Sequence, residues 1–260
     1  MATLINLTKR ILFLSTAVLF LSCKNDIKRK SNDLIQQNLH GRVQHLEETT
    51  FDLDSAGNSK MISARIIDFD ENGYATKYID KDATSKIVMN ETAIHYSNGA
   101  IKEFLNEVDG KQISKMSIDI DKEGNYSAVR TYDSANRQDS YYSDIMENDY
   151  GIIYAAKQHF INGKLESGFD LQYDKANIIG GMYTDSSGRA SYSFTSELNN
   201  RGDAVDKVST TFKYDSPQKE IITYKYTGYD DKGNWLQQTS YNDKGKQLQI
   251  VKRKYIYYKD

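Results

Sequence analysis

The sequence predicts an all-β fold: a long, twisted antiparallel meander of hairpins that forms an open sheet or a partly closed shell. Tyrosine, which favours strands, occurs 20 times in the 260 residues. Proline, which interrupts strands, occurs once, at Pro217. A short turn motif also recurs between segments that alternate apolar and polar residues, as expected for a series of hairpins.

The first 22 residues have the features of a secretory signal peptide. Lys9 and Arg10 precede an apolar run over residues 11–22, and Cys23, the one cysteine of the chain, follows it. A transmembrane anchor is an alternative, but this run of 12 residues falls short of the roughly 20 that a spanning helix needs. An ordinary cleaved signal is a second alternative, and it would leave an unusual thiol near the start of an exported protein.

The residues up to Cys23 resemble the lipobox of bacterial lipoproteins, in which a leucine and two small residues precede the cysteine. Here the order is Phe20-Leu21-Ser22-Cys23, so the last two positions match and the first two depart from the pattern. The resemblance implies cleavage before Cys23, a diacylglycerol thioether on its sulfur, and acylation of the new N-terminus, with palmitate among the attached chains. Each buried CH₂ contributes about 0.8 kcal/mol, so such an anchor is durable.

The residues after Cys23 bear on location. Lys24 stands where the inner-membrane retention signal of such lipoproteins has an aspartate. We therefore expect a lipid-anchored protein of the outer membrane. The stretch Lys24-Asn25-Asp26 also looks like the surface-export signals of Bacteroidetes lipoproteins, so both the periplasmic face and the cell surface remain open.

We expect three segments in the chain. They are the signal peptide over residues 1–22, a lipidated polar tether over residues 23–40 with one helical turn at 33–36, and a β domain over residues 41–260. The 34 basic and 36 acidic residues give a formal net charge of −2. Nucleic acid is therefore not an expected partner, because phosphate binding needs a concentrated basic face.

The recurring turn motif is an Asp or Asn, two variable residues, and then Gly or Asn. The first side chain accepts a backbone hydrogen bond, and the fourth residue takes the left-handed conformation that glycine adopts easily. A type I turn of this kind joins two antiparallel strands. The copies span residues 54–57, 70–73, 121–124, 133–136, 174–177, 185–188, 199–202, 230–233 and 242–245.

Two late copies of the motif follow a tyrosine and resemble the YD-repeat (RHS-like) class, whose core is Tyr-Asp-x-x-Gly followed by Arg or Asn. The matches run from Tyr229 to Leu236 and from Tyr241 to Leu248, and the earlier copies are degenerate. The chain is similar to small YD-repeat lipoproteins of Bacteroidetes, which implies an RHS-like shell. The motif builds turns and indicates architecture rather than function.

Motifs for catalysis and metal binding are weak. Residues 68–73 and 119–124 place oxygen ligands at alternate positions before a glycine, but neither has the glutamate that a calcium loop needs at its twelfth position. The four histidines form no zinc-type cluster, and no Gly-x-Ser-x-Gly elbow occurs. Gly180-Gly181 indicates a bulge or a strand bend rather than a phosphate loop. We expect no metal, no cofactor and no enzyme activity.

Aromatic residues near the C-terminus form the candidate binding surface. Alternation places Tyr224 and Tyr226 on one face of a strand. It likewise places Tyr255 and Tyr257 on one face of another strand, and Trp235 is the one tryptophan. We favour the interpretation that these rings pack in the sheet core. The alternative is an aromatic platform for a glycan or a protein.

The leading hypothesis is an envelope-anchored, non-catalytic lipoprotein whose β-repeat surface binds a protein or glycan partner. One alternative is a carbohydrate-active hydrolase of the envelope, which would need two carboxylates facing a cleft. Another is an immunity or accessory protein for an RHS-type toxin, which rests on the YD resemblance alone. The expected partners are the membrane, through the lipid anchor, and a protein or glycan.

Overall fold

The computed structural model describes residues 32–53, 57–96, 99–122, 124–213 and 216–259. The alternating segments between the turns form 16 strands. In chain order they are β1 (Val43–Leu53), β2 (Ser59–Phe69), β3 (Ala75–Asp82), β4 (Ile87–His95), β5 (Ile101–Val108), β6 (Lys111–Ile120), β7 (Tyr126–Asp133), β8 (Gln138–Glu147), β9 (Ile153–Phe160), β10 (Leu165–Asp174), β11 (Asn177–Thr184), β12 (Ala190–Leu198), β13 (Ala204–Lys213), β14 (Ser216–Tyr229), β15 (Trp235–Asn242) and β16 (Gln247–Tyr257).

Each strand pairs antiparallel with the next along the chain, and β1 pairs with β16, so the sheet closes into a barrel. The prediction of an all-β antiparallel meander is confirmed. Complete closure goes beyond the open sheet or partly closed shell that the sequence suggested. Closure removes the unpaired strand edges that an open meander would expose to other chains.

Side chains alternate between the inside and the outside of the barrel. On β6, Met116 and Ile118 are buried and face inward. Lys115, which directly precedes Met116, faces outward. A contiguous inner core extends along β1 to β11, and burial of each large apolar side chain stabilises the fold by roughly 1.5–3 kcal/mol. Its largest fully buried members are Leu46, Ile101, Phe104 and Ile118.

The predicted Asx turns form at most of the expected places. In the turn after β2, Asp70 Oδ1 accepts hydrogen bonds from the amides of Asn72 and Tyr74, both at 2.9 Å. Gly73 closes the turn with φ of 83° and donates its amide to the Asp70 carbonyl at 3.0 Å. The same closure recurs at residues 121–124, 133–136, 185–188, 199–202, 230–233 and 242–245.

Two turns differ from the sequence expectation. At residues 174–177 the strands continue to Asp174 and Asn177, and Lys175, with φ of 57°, takes the left-handed position expected for Asn177. At residues 82–85 the motif was missed, because Ser85 replaces the expected Gly or Asn and still adopts φ of 65°. Most of the motif at residues 54–57 lies outside the described residues, as do the leader, Cys23 and the tether up to residue 31.

The expected helical turn is α1 (Asp33–Gln36), and it begins a segment that lies across one mouth of the barrel. Asn32 caps α1 by accepting the Ile35 amide at 3.0 Å. The buried Asp33 carboxylate accepts the Ala75 amide at 2.6 Å, and the Leu34 amide donates to the Gly73 carbonyl at 3.2 Å. These contacts fix the segment to the turn between β2 and β3.

The other end of this segment is fixed to the far side of the same mouth. Asn38 Nδ2 donates to the Arg201 carbonyl and to Asp203 Oδ1, both at 2.9 Å. Asn234 then brackets His40, accepting its amide at 2.7 Å and donating to its carbonyl at 2.8 Å. We call residues 32–40 the N-terminal clasp. Among the described residues, no helix has the length and apolar character needed to cross a bilayer.

Candidate functional site

Five charged side chains face the inside of the barrel next to the apolar core. In the strand register, Glu48 lies opposite both Arg253 and Arg65, and Arg65 lies opposite Asp80. Glu91 follows on β4, where it pairs with Tyr78. Because Leu46, two residues before Glu48, is buried in the core, this row of side chains points inward. We call these five residues the interior charge cluster.

Two ion pairs organise the interior charge cluster. Arg65 donates from Nε and from its terminal nitrogen to the two oxygens of Asp80, at 2.7 and 2.9 Å. Arg253 donates from Nε to Glu48 Oε2 at 2.8 Å. A bidentate arginine–carboxylate pair of this kind fixes the orientation of both groups. The Arg65 and Asp80 side chains each remain 28% exposed, so solvent reaches them although they face inward.

The carboxylates hold both arginines in their charged form. Burial lowers the pKa of Arg253, but the charge of Glu48 and the neighbouring Tyr255 outweigh it and leave that pKa raised. The same balance holds for Arg65, where burial lowers the pKa and Asp80, together with Glu48 and Glu91, more than compensates. Replacing one partner of such a pair would leave an uncompensated charge in the interior.

Glu91 is the exceptional member of the cluster. It is 8% exposed, and burial raises its pKa to about 7, while nearby Arg65 lowers the pKa and Asp80 raises it. Within the described part of the chain, the Glu91 carboxyl accepts or donates no hydrogen bond. Opposite it on β5, the amide oxygen of Asn106 is also buried without a partner, and Asn106 Nδ2 donates to Ser114 at 3.0 Å. This carboxyl can hold or release a proton near neutral pH.

The five predicted aromatic residues lie on β14, β15 and β16. Tyr226 donates its hydroxyl to the Ala204 carbonyl at 2.8 Å and accepts from Gln238 at 2.7 Å. Its ring centroid lies 5.5 Å from that of Trp235. Burial raises the pKa of Tyr226 to about 12 and also raises that of Tyr224, so both hydroxyls are protonated at neutral pH.

Tyr255 and Tyr257 continue the same aromatic group on β16, with ring centroids 6.2 Å apart. Tyr255 donates to the Trp235 carbonyl at 2.8 Å. Tyr257 donates to an Asp230 oxygen and accepts from Asn234 at 2.7 Å. The structure thus brings Tyr226, Trp235, Tyr255 and Tyr257 together, with their polar atoms bonded within the chain. Their assignment as a binding surface stays a prediction.

Arg253 links the aromatic group to the interior charge cluster, and no local sequence pattern indicates this role. Its guanidinium carbon lies 3.7 Å from the centroid of the Trp235 ring, within range of a cation–π interaction. Glu48, which it binds, is 205 positions away in the chain. Sequence inspection also missed Arg65, Asp80 and Glu91, because charged residues in strands normally face solvent.

The suspected calcium positions have other roles. Asp68 Oδ1 lies 2.7 Å from His45 Nδ1, and Asp119 pairs with Arg130 at 2.5 Å. Asp70 is occupied by the amides of its own turn. Across the residues that the structure describes, no group of three His, Cys, Asp or Glu side chains is placed to hold a metal ion.

Comparison with known proteins shows a fold shared with a solved bacterial structure. No protein-family model matches the chain, and no curated protein matches it. The crystal structure of a porin-like protein from Bacteroides uniformis is similar with a TM-score of 0.56 at 12% identity, over 82% of this chain and 96% of that chain. A second porin-like protein, from Bacteroides vulgatus, gives a TM-score of 0.35 at 12% identity, over 83% of this chain and 98% of that chain.

A third solved structure, TcdB2-TccC3, gives a TM-score of 0.30 at 10% identity and covers 76% of this chain but 12% of that chain. The first of these similarities identifies a shared fold, and at such low identity it carries no function across. The chain therefore has the barrel architecture seen in the Bacteroides uniformis protein.

Proposed function

We propose that this protein is a lipid-tethered barrel of the bacterial envelope that remains in water and binds a protein or glycan partner without catalysis. The observation that carries this proposal is the charged outer face of the closed barrel. It favours a barrel held beside a membrane over one whose strands cross it.

Charged side chains lie on the outer face of eight strands, which include the two that close the barrel. On β1 and β16, Glu47 and Lys254 pair outward, with side chains 38% and 80% exposed. Outward charges also occupy strand positions elsewhere: Lys77, Glu103, Lys115, Arg130, Lys157 and Asp170. A bilayer-spanning barrel needs an outer apolar band about 25 Å tall, and each Lys or Arg at the bilayer midplane destabilises it by roughly 2–4 kcal/mol.

The inside of the barrel is filled along much of its wall. Buried apolar side chains follow the inner wall from β1 to β11, and the N-terminal clasp lies across one mouth. These features favour a closed scaffold over a channel. A porin-type barrel of this strand number would instead enclose an aqueous path.

The clasp gives the proposed barrel a direction relative to the membrane. Asn32 lies nine positions after Cys23, and an extended chain of that length reaches about 30 Å. If Cys23 carries the lipid, the mouth closed by residues 32–40 faces the membrane. The opposite mouth, with the turns at residues 133–136 and 185–188, then points away from it and is available to a partner.

The non-catalytic proposal is supported by the state of the interior carboxylates. Glu48 and Asp80 are both held in ion pairs with arginines, and Glu91 is buried beside them. A glycosidase needs two carboxyl groups that reach one substrate bond from a cleft. We therefore favour binding over the hydrolase alternative. The immunity-protein alternative has no structural feature that favours it.

A combined binding and activity assay tests the proposal. The purified protein, lacking residues 1–22, is applied to a glycan array and an array of envelope proteins, and is incubated with polysaccharides to detect released reducing ends. We expect saturable binding on one array and no release of sugars. Hydrolysis that disappears in Glu91→Gln would overturn the non-catalytic proposal, and so would empty arrays combined with any hydrolytic activity.

A further inference from the structure

A trough lies on the outer face of the barrel over β10 to β13, on the side away from the interior charge cluster. It has a volume of about 430 Å³ and opens to solvent. Pockets of roughly 300–1,000 Å³ are the usual size for small ligands. The polar and flexible side chains that line it are Asp170, Gln172, Met182, Ser193, Thr195 and Thr210.

The strand register explains how these side chains meet. Across four neighbouring strands, Asp170 pairs with Met182, Met182 with Ser193, and Ser193 with Thr210. Paired residues project from the same face, so they form one row across the sheet. Since Phe169 and Leu171 on either side of Asp170 are buried, this row faces outward.

Gly180 adjoins the trough, between two of the residues that line it. It lies between Gln172 and Thr195 in the next row, and its backbone is not in the left-handed region, so no turn requires a glycine there. A Cβ at this position would come within 3.1 Å of both Gln172 Oε1 and the Phe194 carbonyl. Glycine in a strand interior destabilises it by up to about 1 kcal/mol. The bare backbone instead allows the Gln172 side chain, which lines the trough, to lie over it.

The predicted bulge is found beside Gly180. The pairing of β10 with β11 passes from Gln172–Gly180 to Tyr173–Ile178, which leaves Ile179 as the extra residue. A bulge bends its strand and increases the local twist. The trough therefore lies beside a bend in the sheet.

The chemistry of the lining selects a neutral, hydroxyl-rich ligand. The trough presents one carboxylate, one carboxamide and three hydroxyl groups, and none of its lining residues is cationic. Asp170 accepts hydroxyl donors and disfavours an anion, while Met182, 42% exposed, and Val208 offer an apolar surface. A sugar ring has both a rim of hydroxyls and an apolar C–H face. We propose that this trough is a binding site for one or two rings of a neutral saccharide.

This inference rests on the proposed binding function and names its site and ligand class. The test uses the chain from Cys23 onward with ¹³C-methyl labels on methionine and threonine. The probes are cellobiose, maltose and N,N′-diacetylchitobiose, followed by an array of larger neutral glycans. We expect saturable shifts at Met182, Thr195 and Thr210 for at least one probe.

Three variants localise the binding. Asp170→Ala removes the carboxylate, Gly180→Val displaces the Gln172 side chain that lies over it, and Thr195→Val removes one hydroxyl with little change of volume. We expect each to weaken binding at least tenfold while the melting temperature confirms folding. The matched control is Thr92→Val, on the outer face of β4, which should leave affinity unchanged. Thr195→Val keeps the test valid if Gly180→Val fails to fold.

Four outcomes would overturn the site. They are the absence of saturable binding to any neutral glycan, shifts confined to other methyl groups, affinity unchanged in Asp170→Ala and Thr195→Val, and binding of a cationic peptide in place of a sugar. Glycan binding that survives all the trough variants would refute this site and leave the proposed function standing. Empty glycan and protein arrays would remove both.

Discussion

The guanidinium of Arg253 lies 3.7 Å from the centroid of the Trp235 ring, inside a barrel wall formed by β15 and β16. The same guanidinium donates to Glu48 on β1 at 2.8 Å. One side chain therefore ties the last two strands to the first across the closing seam. The Arg253 side chain at this seam is 15% exposed, which is unusually low for a charged residue.

Loss of this group should open the seam. Arg253→Ala leaves the Glu48 carboxylate facing inward without its cation, and we expect a loss of about 3 kcal/mol in unfolding free energy. Urea unfolding followed by tryptophan fluorescence measures it. The double variant Arg253→Met with Glu48→Met should recover most of the loss, because no unpaired charge remains. Equal instability of both variants would show that packing, not charge pairing, holds the seam.

Glu91 should make stability depend on pH. Its pKa rises from 4.5 in an unfolded chain to about 7 in the barrel, so folding favours the protonated carboxyl. The stability that this protonated form contributes is fully present below pH 4.5 and is lost as the pH rises through about 7. We expect Glu91→Gln to stabilise the protein at pH 8 by up to about 3 kcal/mol and to have little effect at pH 4. Urea unfolding at both pH values tests this. Glu103→Gln, on the outer face, is the control, and an equal effect of Glu91→Gln at both pH values would contradict the assignment.

Local chemistry made the turns predictable, and non-local pairing made the barrel unpredictable. Asp70 and Gly73 build their turn from contacts within five residues, which the motif encodes. Closure depends on Glu48 meeting Arg253, and no local pattern specifies that pairing. Arg65 and Asp80 also break the apolar pattern by which the inward face of a strand is recognised. Each charge is stable there because it is paired with the other. The aromatic residues could be identified from residue type and alternation, but the charged residues beside them, Arg253 and Glu48, could not.

Two glycines in similar turns should respond differently to alanine. Gly73 and Gly245 both have positive φ, at 83° and 73°, so each substitution carries backbone strain of about 1 kcal/mol. A Cβ at Gly73 would also come within 2.9 Å of Leu34 in the clasp, whereas nothing lies within 4 Å at Gly245. We expect Gly73→Ala to be the more destabilising by at least about 1 kcal/mol, measured as the difference in unfolding free energy. Equal losses would show that the clasp does not pack on this turn.

Asn234 should hold the clasp closed. It is 2% exposed and binds both the amide and the carbonyl of His40. We expect Asn234→Ala to lower stability by about 2 kcal/mol, because it leaves buried groups unsatisfied. Hydrogen exchange at the His40 amide should accelerate at least tenfold. Asn162→Ala, which removes a cap from an exposed turn at the opposite mouth, should leave that exchange unchanged. Unaltered exchange in Asn234→Ala would contradict this role.

The most direct test of a lipid-tethered barrel that remains in water is membrane flotation of the full chain and of Cys23→Ser, each washed with alkaline carbonate. The tether hypothesis predicts that the full chain floats with the membranes and that Cys23→Ser appears in the aqueous fraction as a folded barrel with an unchanged β-type circular dichroism spectrum. Retention of folded Cys23→Ser in washed membranes would contradict it, because the strands themselves would then hold the protein in the bilayer.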